Sequence, residues 1–339
     1  MSESKHDLSD SDAMLRMIAG FWLTQAIYVA AKLGIADLLG NGPKPIAMLA
    51  SQTETHERSL YRVLRTLAAA SVFVEDEGRF DLTPMAMQLR RDVVGSLRPY
   101  AIMMGEQWAW RSLGEMLHSV RTGQSGFEHI FGATPFDYSK NHPGAARIGT
   151  EGVTSRSAPE NDAVVSAFDF GNIETIVDVG GGQGTLITRI LGANPRARGL
   201  LFDMPHMAGL ARPVLVQAGL IHRCEFQAGN FFASVPSGGG IYIMKKVLHD
   251  WDDDRALEIL QNCRAAIPAH GLLLLVELVV PAQNEPSFSK MLDLLMLTYV
   301  GGQERTEGEY RHLVTAAGFQ LQRVLTSNST VSIIEAVPA

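Results

Sequence analysis

The first hundred residues combine apolar stripes of helical spacing with one short stretch of strand spacing. Helical spacing runs over residues 13–33, resumes after Pro45, and returns over residues 56–69. Over residues 72–82 the period changes to the alternation of a β-hairpin with an acidic, glycine-containing turn. Three helices followed by a hairpin predict a mainly helical winged-helix domain over residues 1–100.

A winged helix can bind DNA, or it can serve only for packing and dimerisation. The third helix carries Arg58, Arg62 and Arg65, which would suit a DNA-binding role. However, the acidic tip at residues 75–77 lies where a wing would meet phosphates. The very apolar helix over residues 19–31 needs a large buried surface, which a second copy of the chain can supply. We therefore predict a homodimerisation domain with no nucleic-acid partner.

Residues 101–165 have helical spacing and bulky apolar side chains. Met103, Met104 and Trp108 would form an apolar wall, although such aromatic residues belong to a core more often than to a pocket. We predict a helical connector that contributes to a substrate pocket.

From residue 166 to residue 339, short apolar strands alternate with helices, which is typical of an α/β doubly wound parallel sheet. The predicted strands cover residues 175–179, 200–203, 224–228, 241–245, 272–279, 321–325 and 331–337. A Ser-Asn-Ser turn joins the last two strands into a hairpin, and the helix before them begins with a capping box at Thr306 and Glu309. A terminal antiparallel hairpin on a parallel sheet fits a methyltransferase better than a dehydrogenase.

The composition is that of an ordinary globular protein. The 339 residues are 46% hydrophobic and 19% charged, and a net charge of −7 argues against nucleic acid as a partner. Cys224 and Cys263 offer neither a disulfide framework nor metal-ligand spacing. The polar N-terminus does not resemble a secretory signal, and polar residues interrupt the apolar stretch over residues 20–39. These features predict a cytoplasmic protein with no membrane partner.

A glycine-rich loop follows the first predicted strand of the sheet, in the string Asp-Val-Gly-Gly-Gly-Gln-Gly over residues 178–184. Thr185 stands where a dinucleotide fingerprint would have its last glycine, so that motif fails. The acid before the loop suits a cofactor with a positive amino group and no pyrophosphate. Asp203 ends the second strand, where a carboxylate can accept both ribose hydroxyls or can cap the next helix. Together the two features favour a nucleoside cofactor.

Six ordered strings of the chain resemble plant caffeic-acid-type and bacterial secondary-metabolite O-methyltransferases. They are IVDVGGGQGTL, LLFDMPHM, GNFFASVP, MKKVLHDWDDD, LLLVELVVP and GGQERTEGEY, and FWLTQAIYVAAKLGIADLL resembles that family's dimerisation helix. The resemblance implies a Rossmann-like class I methyltransferase fold and a homodimer. It also implies S-adenosylmethionine (SAM) as cofactor, S-adenosylhomocysteine as product, and a small phenolic or polyketide-type acceptor whose hydroxyl is methylated.

The resemblance also implies which residues hold the cofactor: Gly180, Gly182, Asp203, Asn230, Phe231, Lys245 and Ser157. Gly180 and Gly182 would pass close to its methionine part, and Asp203 would hold the ribose. Ser157, or its neighbour Ser155, would reach the carboxylate.

Asn230 and Phe231 would flank the adenine, with Lys245 near it. The family usually has Asp where this chain has Asn230, and an amide oxygen can still accept from the adenine amino group, so we expect weaker binding rather than none. Ile148 and Gly152 stand where the plant enzymes tend to have Phe and Met in the phenolic pocket. The substrate is therefore expected to be larger or differently shaped.

His249 is the predicted base, because it follows the fourth strand at the carboxyl edge of the sheet, where such folds bind ligands. An imidazole can accept the proton of a phenol as its oxygen attacks the methyl group. A lone histidine is more often structural, but Glu277 and Glu304 resemble the two family acids that bracket the base. One of them would fix the imidazole tautomer, and Asp250 would orient the acceptor or the loop.

Three other interpretations stay open at this point. The acidic run over residues 250–254 could hold a divalent cation, but we predict no metal, because the metal-dependent catechol methyltransferases are short and lack the N-terminal domain. A related protein could use bound SAM for decarboxylation or hydroxylation, which the presence of His249, Glu277 and Glu304 disfavours. A ligand-sensing DNA-binding regulator is disfavoured by the net charge.

Overall fold

The computed structural model describes residues 9–339. Residues 1–8, part of the polar N-terminal segment from which no export was predicted, lie outside this range. The chain divides into two compact units: the first comprises the residues up to Trp110 together with His142–Arg156, and the second comprises Arg111–Asn141 with Ser157–Ala339. Residues of the predicted connector are thereby shared between the units. The boundaries at residues 100 and 165 stay a prediction.

The helices of the described residues give the order of the chain. They are α1 (Asp10–Ile18), α2 (Gly20–Leu33), α3 (Ile35–Leu38), α4 (Ile46–Gln52), α5 (Glu57–Ala69), α6 (Pro84–Met87), α7 (Arg98–Gly105), α8 (Gln107–Gly114), α9 (Met116–Thr122), α10 (Gly126–Phe131), α11 (Pro135–Asn141), α12 (Pro143–Ala167), α13 (Thr185–Ala193), α14 (Ala208–Gln217), α15 (Asp253–Ala266), α16 (Phe288–Tyr299) and α17 (Glu307–Ala316). The strands are β1 (Lys44–Pro45), β2 (Phe73–Asp76), β3 (Arg79–Leu82), β4 (Thr175–Val179), β5 (Arg198–Asp203), β6 (Cys224–Ala228), β7 (Ile241–Lys245), β8 (Leu272–Glu277), β9 (Phe319–Thr326) and β10 (Ser332–Pro338).

The first unit contains the predicted winged helix. Helix α5 buries the leucine stripe of Leu60, Leu64 and Leu67, as its spacing predicts. The β2–β3 hairpin is present, and β1 adds a third strand in the order β1-β3-β2. The single helix expected over residues 13–33 is instead two helices, which meet at Ala19 just before Gly20, a residue with low helix propensity.

Within residues 9–339, no single helix is long and apolar enough to cross a bilayer. Helices α1 and α2, which are bent by 43° relative to one another, reach the necessary length and apolar composition only as a pair.

The second unit is built on a seven-stranded sheet in the order β6-β5-β4-β7-β8-β10-β9. Strands β4 to β8 pair in parallel, whereas β10 pairs antiparallel with both β8 and β9. Apolar side chains of the sheet are buried on both faces, with Ile176 and Ile243 in one core and Val177 and Tyr242 in the other. This arrangement confirms the predicted doubly wound fold with a terminal hairpin.

The fold brings the candidate site residues to one edge of the sheet. Strands β4, β5, β7 and β8 are parallel neighbours, so their carboxyl ends lie on the same side. Asp203, Lys245 and Glu277 are the last residues of three of these strands. Both the sequence and the strand topology therefore indicate that the active site lies at this carboxyl edge of the sheet.

Candidate active site

The loop between β4 and α13 has a backbone that requires glycine. Gly180, Gly182 and Gly184 have φ values of +68°, +60° and +75°, in the left-handed region that disfavours side chains. A Cβ at Gly181 would lie 2.4 Å from Leu201 and 2.5 Å from the Asp178 carboxylate. At Gly182, by contrast, the nearest atom to an added Cβ would be 3.9 Å away. The loop is thus tightly packed on its inner side and open at Gly182.

Asp178 lies beneath this loop rather than on its open side. Its side chain is buried, and burial, followed by the charge of Asp203, raises the pKa of Asp178 to about 7. Its proximity to the backbone of Gly181 means that it supports the loop from below. This buried position disfavours a direct contact between Asp178 and a cofactor's amino group.

Asp203 is held next to the open part of the loop. Its carboxylate accepts hydrogen bonds from the Gly182 amide at 2.7 Å and from the Met204 amide at 2.6 Å. The short 3₁₀ turn that follows begins without a side-chain cap, so the helix-cap role considered for Asp203 is not observed. Burial raises the pKa of Asp203, while the two backbone hydrogen bonds lower it. The structure therefore joins Asp203 and Gly182 into one feature.

Phe231 and Asn230 follow β6, and Phe231 lies next to the glycine loop. A Cβ on Gly180 would lie 3.6 Å from the Phe231 ring, so the two residues are neighbours. The Phe231 ring packs edge-on against Phe232 and Trp251. The Asn230 side-chain oxygen accepts from the Phe232 amide at 3.0 Å, a turn contact that an aspartate would also make.

Lys245 and Ser157 lie together at the end of β7. The Lys245 ammonium donates to Asn161 Oδ1 at 2.6 Å and to the Ser157 carbonyl at 3.5 Å, and it pairs with Glu160 Oε2 at 2.9 Å. Burial lowers the pKa of Lys245 to about 8, against the opposing charge of Glu160. Lys246 also pairs with Glu160, at 2.6 Å. Sequence reasoning missed Glu160 and Asn161, because nothing in a helical stretch marks such residues as buried.

His249 lies in a short 3₁₀ turn directly after β7 and is buried among three carboxylates. Its Nδ1 is 2.7 Å from Glu304 Oε1, and its Nε2 is 3.5 Å from Asp250 Oδ1. Glu277 Oε1 accepts from the amides of Val247 and Leu248 at 3.2 and 3.1 Å, which fixes the strand end that leads into the turn. All four predicted catalytic residues therefore lie together.

The carboxylates dominate the electrostatics of this histidine. Burial by itself lowers the pKa of His249, but the charge of Asp250, the hydrogen bond to Glu304 and the charges of Glu277 and Glu304 raise it to about 9. Burial raises the pKa of Glu277 to about 7. The site is thus built to stabilise a protonated imidazole.

The same three side chains could also hold a cation. Ligand atoms of His249, Glu277 and Glu304 lie within 4.8 Å of one another, and within residues 9–339 no other group of this kind was found. The 2.7 Å separation of His249 Nδ1 and Glu304 Oε1 is that of a charge-assisted hydrogen bond. The cluster can therefore hold either a proton or a metal ion.

A second segment, residues 302–305, packs onto the histidine turn and was recognised in the sequence through the string GGQERTEGEY and through Glu304. A Cβ on Gly302 would lie 2.1 Å from the His249 carbonyl oxygen, so only glycine fits. The Gln303 amide donates to that same oxygen at 2.9 Å. The Glu304 amide donates to Asp293 Oδ1 at 2.8 Å. The second glycine of the GGQER string, Gly302, is the feature of the sequence that could have indicated this close approach.

The residues predicted to line the substrate pocket all lie in the first unit. Met103, Trp108 and Gly152 are buried, whereas Met104 and Ile148 are half-buried. A Cβ on Gly152 would lie 2.7 Å from the Met103 sulfur, so the glycine allows these two residues to approach. Their role in binding an acceptor stays a prediction.

Comparison with known proteins decides the family. The O-methyltransferase domain family matches residues 110–320, and the O-methyltransferase dimerisation domain matches residues 15–91. The chain belongs to the O-methyltransferase family. It is a SAM-dependent O-methyltransferase, and the second match confirms the dimerisation interpretation of the N-terminal domain and supports a homodimer.

Individual relatives of this family resemble the chain over almost its whole length. Phenazine O-methyltransferase PhzM of Lysobacter antibioticus is 49% identical over 97% of this chain and 96% of its own. The crystal structure of LaPhzM superposes with a TM-score of 0.91 at 48% identity, covering 98% of this chain and all of that one. NcsB1 of neocarzinostatin biosynthesis, solved with SAM and 2-hydroxy-5-methyl naphthoic acid, gives a TM-score of 0.81 at 32% identity over 93% of this chain and 96% of that one. The cofactor predicted from the sequence is confirmed.

Proposed function

We propose that this chain methylates a hydroxyl of a fused aromatic acceptor of the phenazine class, with His249 as general base and without a metal ion. The observation that carries this proposal is the buried pair of His249 Nδ1 and Glu304 Oε1 at 2.7 Å. It supports an imidazole whose Nδ1 carries a proton and whose Nε2 accepts one.

Proton transfer follows from that tautomer. With Nδ1–H donated to Glu304, the Nε2 lone pair of His249 is the acceptor for the substrate's hydroxyl proton. As the proton arrives, the imidazole becomes positive, and Glu304, Asp250 and Glu277 stabilise that charge. The developing phenolate is then the nucleophile. A base of this kind contributes about 10²–10⁴-fold to the rate.

The open side of the glycine loop and the neighbouring carboxylate fit the cofactor. Gly182 leaves room for a ligand to approach the loop, Gly180 supplies the left-handed backbone of the same turn, and Asp203 beside them suits the ribose hydroxyls. Phe231 and Asn230 would flank the adenine. Lys245 and Ser157 lie together near the end of β7. SAM supplies the electrophilic methyl group when bound.

Two features support a flat aromatic acceptor. The phenazine O-methyltransferase is 49% identical to this chain over nearly its full length. Within the second unit, Trp251 lies two residues from His249, and its ring is parallel to that of Phe136, with centroids 5.8 Å apart. Aromatic walls of this kind favour a planar ligand.

The test is mass spectrometry of a panel of acceptors incubated with the enzyme and SAM. A hydroxyphenazine should gain one methyl group, located on oxygen by NMR, and activity should persist in EDTA. Phenazines without a hydroxyl serve as the matched control and should not react. Loss of carbon dioxide or gain of oxygen would instead identify a non-methylating relative. Complete loss of activity in EDTA, restored by a divalent ion, would contradict the metal-free mechanism.

A further inference from the structure

Arg305 is the largest fully buried side chain among the described residues, with 1% of its surface exposed. Its guanidinium donates to the Leu248 carbonyl at 2.9 Å and to the Trp251 carbonyl at 2.8 Å. It also binds Asp253 Oδ1, through Nε at 2.9 Å. An arginine buried this completely requires full pairing to offset its desolvation, and these bonds provide it.

The two backbone acceptors have a particular relation to the active site. Leu248 precedes His249, and Trp251 follows Asp250, so Arg305 spans the turn that presents both side chains. Arg305 also directly follows Glu304, the partner of the His249 imidazole. One backbone segment thus carries the acid that orients the imidazole and the cation that fixes the turn.

We propose that Arg305 is a positioning residue for methyl transfer, which holds the turn over residues 248–251 so that His249 stays against Glu304 and faces the acceptor. The proposal rests on the proposed role of His249 as base. A planar guanidinium can donate to two carbonyls and a carboxylate at once, whereas a lysine ammonium is a single point of charge. The side chain's shape, and not only its charge, is therefore required.

The first experiment compares Arg305→Met and Arg305→Lys with the wild type. Displacement of a catalytic group by about 1 Å can cost about 10²-fold, so kcat should fall about tenfold to hundredfold in Arg305→Met and less in Arg305→Lys. The Kd for SAM should be unchanged. Because the contact between His249 and Glu304 loosens, the pKa of His249 should fall, and the limb of the kcat–pH profile that rises with pH should move to lower pH.

Arg223→Met is the matched control. Arg223 also donates to backbone carbonyls, those of Leu191, Asn194, Pro195 and Ala197, but it contacts no part of the histidine turn. Arg223→Met should lower the melting temperature without changing kcat or the kcat–pH profile. If Arg305→Met does not fold, Arg305→Lys and Asp253→Ala test the positioning role in its place. Asp253→Ala is suitable because Asp253 is exposed and pairs with the Arg305 guanidinium. Asp253→Ala should also lower kcat, but by less than the tenfold to hundredfold expected for Arg305→Met.

A double-mutant cycle separates this proposal from that of the base. In a His249→Ala background, Arg305→Lys should cause no further loss of kcat, because the group it positions is already absent. An equal loss in both backgrounds would overturn the positioning role while leaving His249 as the base. Near-native turnover of His249→Ala alone would instead refute the proposed base. Unchanged kcat and pH profile in Arg305→Lys and Asp253→Ala, with only a lower melting temperature, would also overturn the proposal.

Discussion

His249→Ala should lower kcat by about 10²–10⁴-fold, the usual contribution of a general base, and leave the Kd for SAM nearly unchanged. The imidazole is needed when the acceptor loses its proton, and its hydrogen bond to Glu304 and its ion pair with Asp250 both lie within the cluster of acids beside it. Rapid-quench kinetics at saturating cofactor, together with calorimetry of SAM binding, measure the two quantities separately. Chemistry and cofactor affinity should therefore respond independently.

Two comparisons sharpen this result. His270 is an exposed histidine of the same unit, and His270→Ala should behave as the wild type. Raising the pH should partly rescue His249→Ala with a phenol, whose pKa is about 10, because the phenolate then forms in solution. An aliphatic alcohol should show no rescue. Near-native turnover of His249→Ala at neutral pH would show that the histidine has a structural role. Methyl transfer would then depend only on the proximity of acceptor and cofactor.

Asp203→Ala should weaken SAM binding by about 3 kcal/mol or more, because two charge-assisted hydrogen bonds of about 1.5–3 kcal/mol each are lost. The substitution also removes the acceptor of the Gly182 amide, which loosens the glycine loop. At saturating SAM, kcat should stay close to that of the wild type, since Asp203 bonds to the amides of Gly182 and Met204 whereas the base is paired with Glu304 and Asp250. Isothermal titration calorimetry measures the change in Kd.

Asp169→Ala is a suitable control for that measurement. Its carboxylate accepts from the Gly171 amide in an exposed loop, and its loss should not alter SAM affinity. Asp203→Asn should lie between the alanine variant and the wild type, because an amide retains one acceptor oxygen. A Kd for Asp203→Ala equal to that of the wild type would reject the ribose assignment.

The parts of the fold that were predictable have strong local patterns. The alternation over residues 72–82, the leucine stripe of α5 and the alternating strand β6 at residues 224–228 all appear where their periods indicate. Such patterns succeed because burial of one face determines both the period and the packing. The glycine loop and Asp203 were likewise recognisable, because left-handed backbone at Gly180 and Gly182 needs glycine.

Other features depend on contacts between distant parts of the chain and carry little local signal. Strand β1 has two residues and exists only through its pairing with β3. Arg305 and Glu160 are charged, and such residues are expected at the surface until their partners are known. The sequence identified His249 as a candidate base, but its 2.7 Å contact with Glu304, 55 residues away, required the folded chain.

The most direct test of the central claim is the pH dependence of the single-turnover rate with SAM bound. A base must be neutral to act, and the surrounding carboxylates raise the pKa of His249 to about 9. The wild-type rate should therefore rise with pH well above about 6.5, the ordinary histidine value, and level off near pH 9. With two acceptors whose hydroxyl pKa values differ, this limb of the wild type should not move. His249→Ala should lack it and show only the rise that follows the acceptor's own pKa. A wild-type limb that follows the acceptor's own pKa, or a limb in His249→Ala that stays at the same pH for both acceptors, would contradict the assignment of His249 as the base.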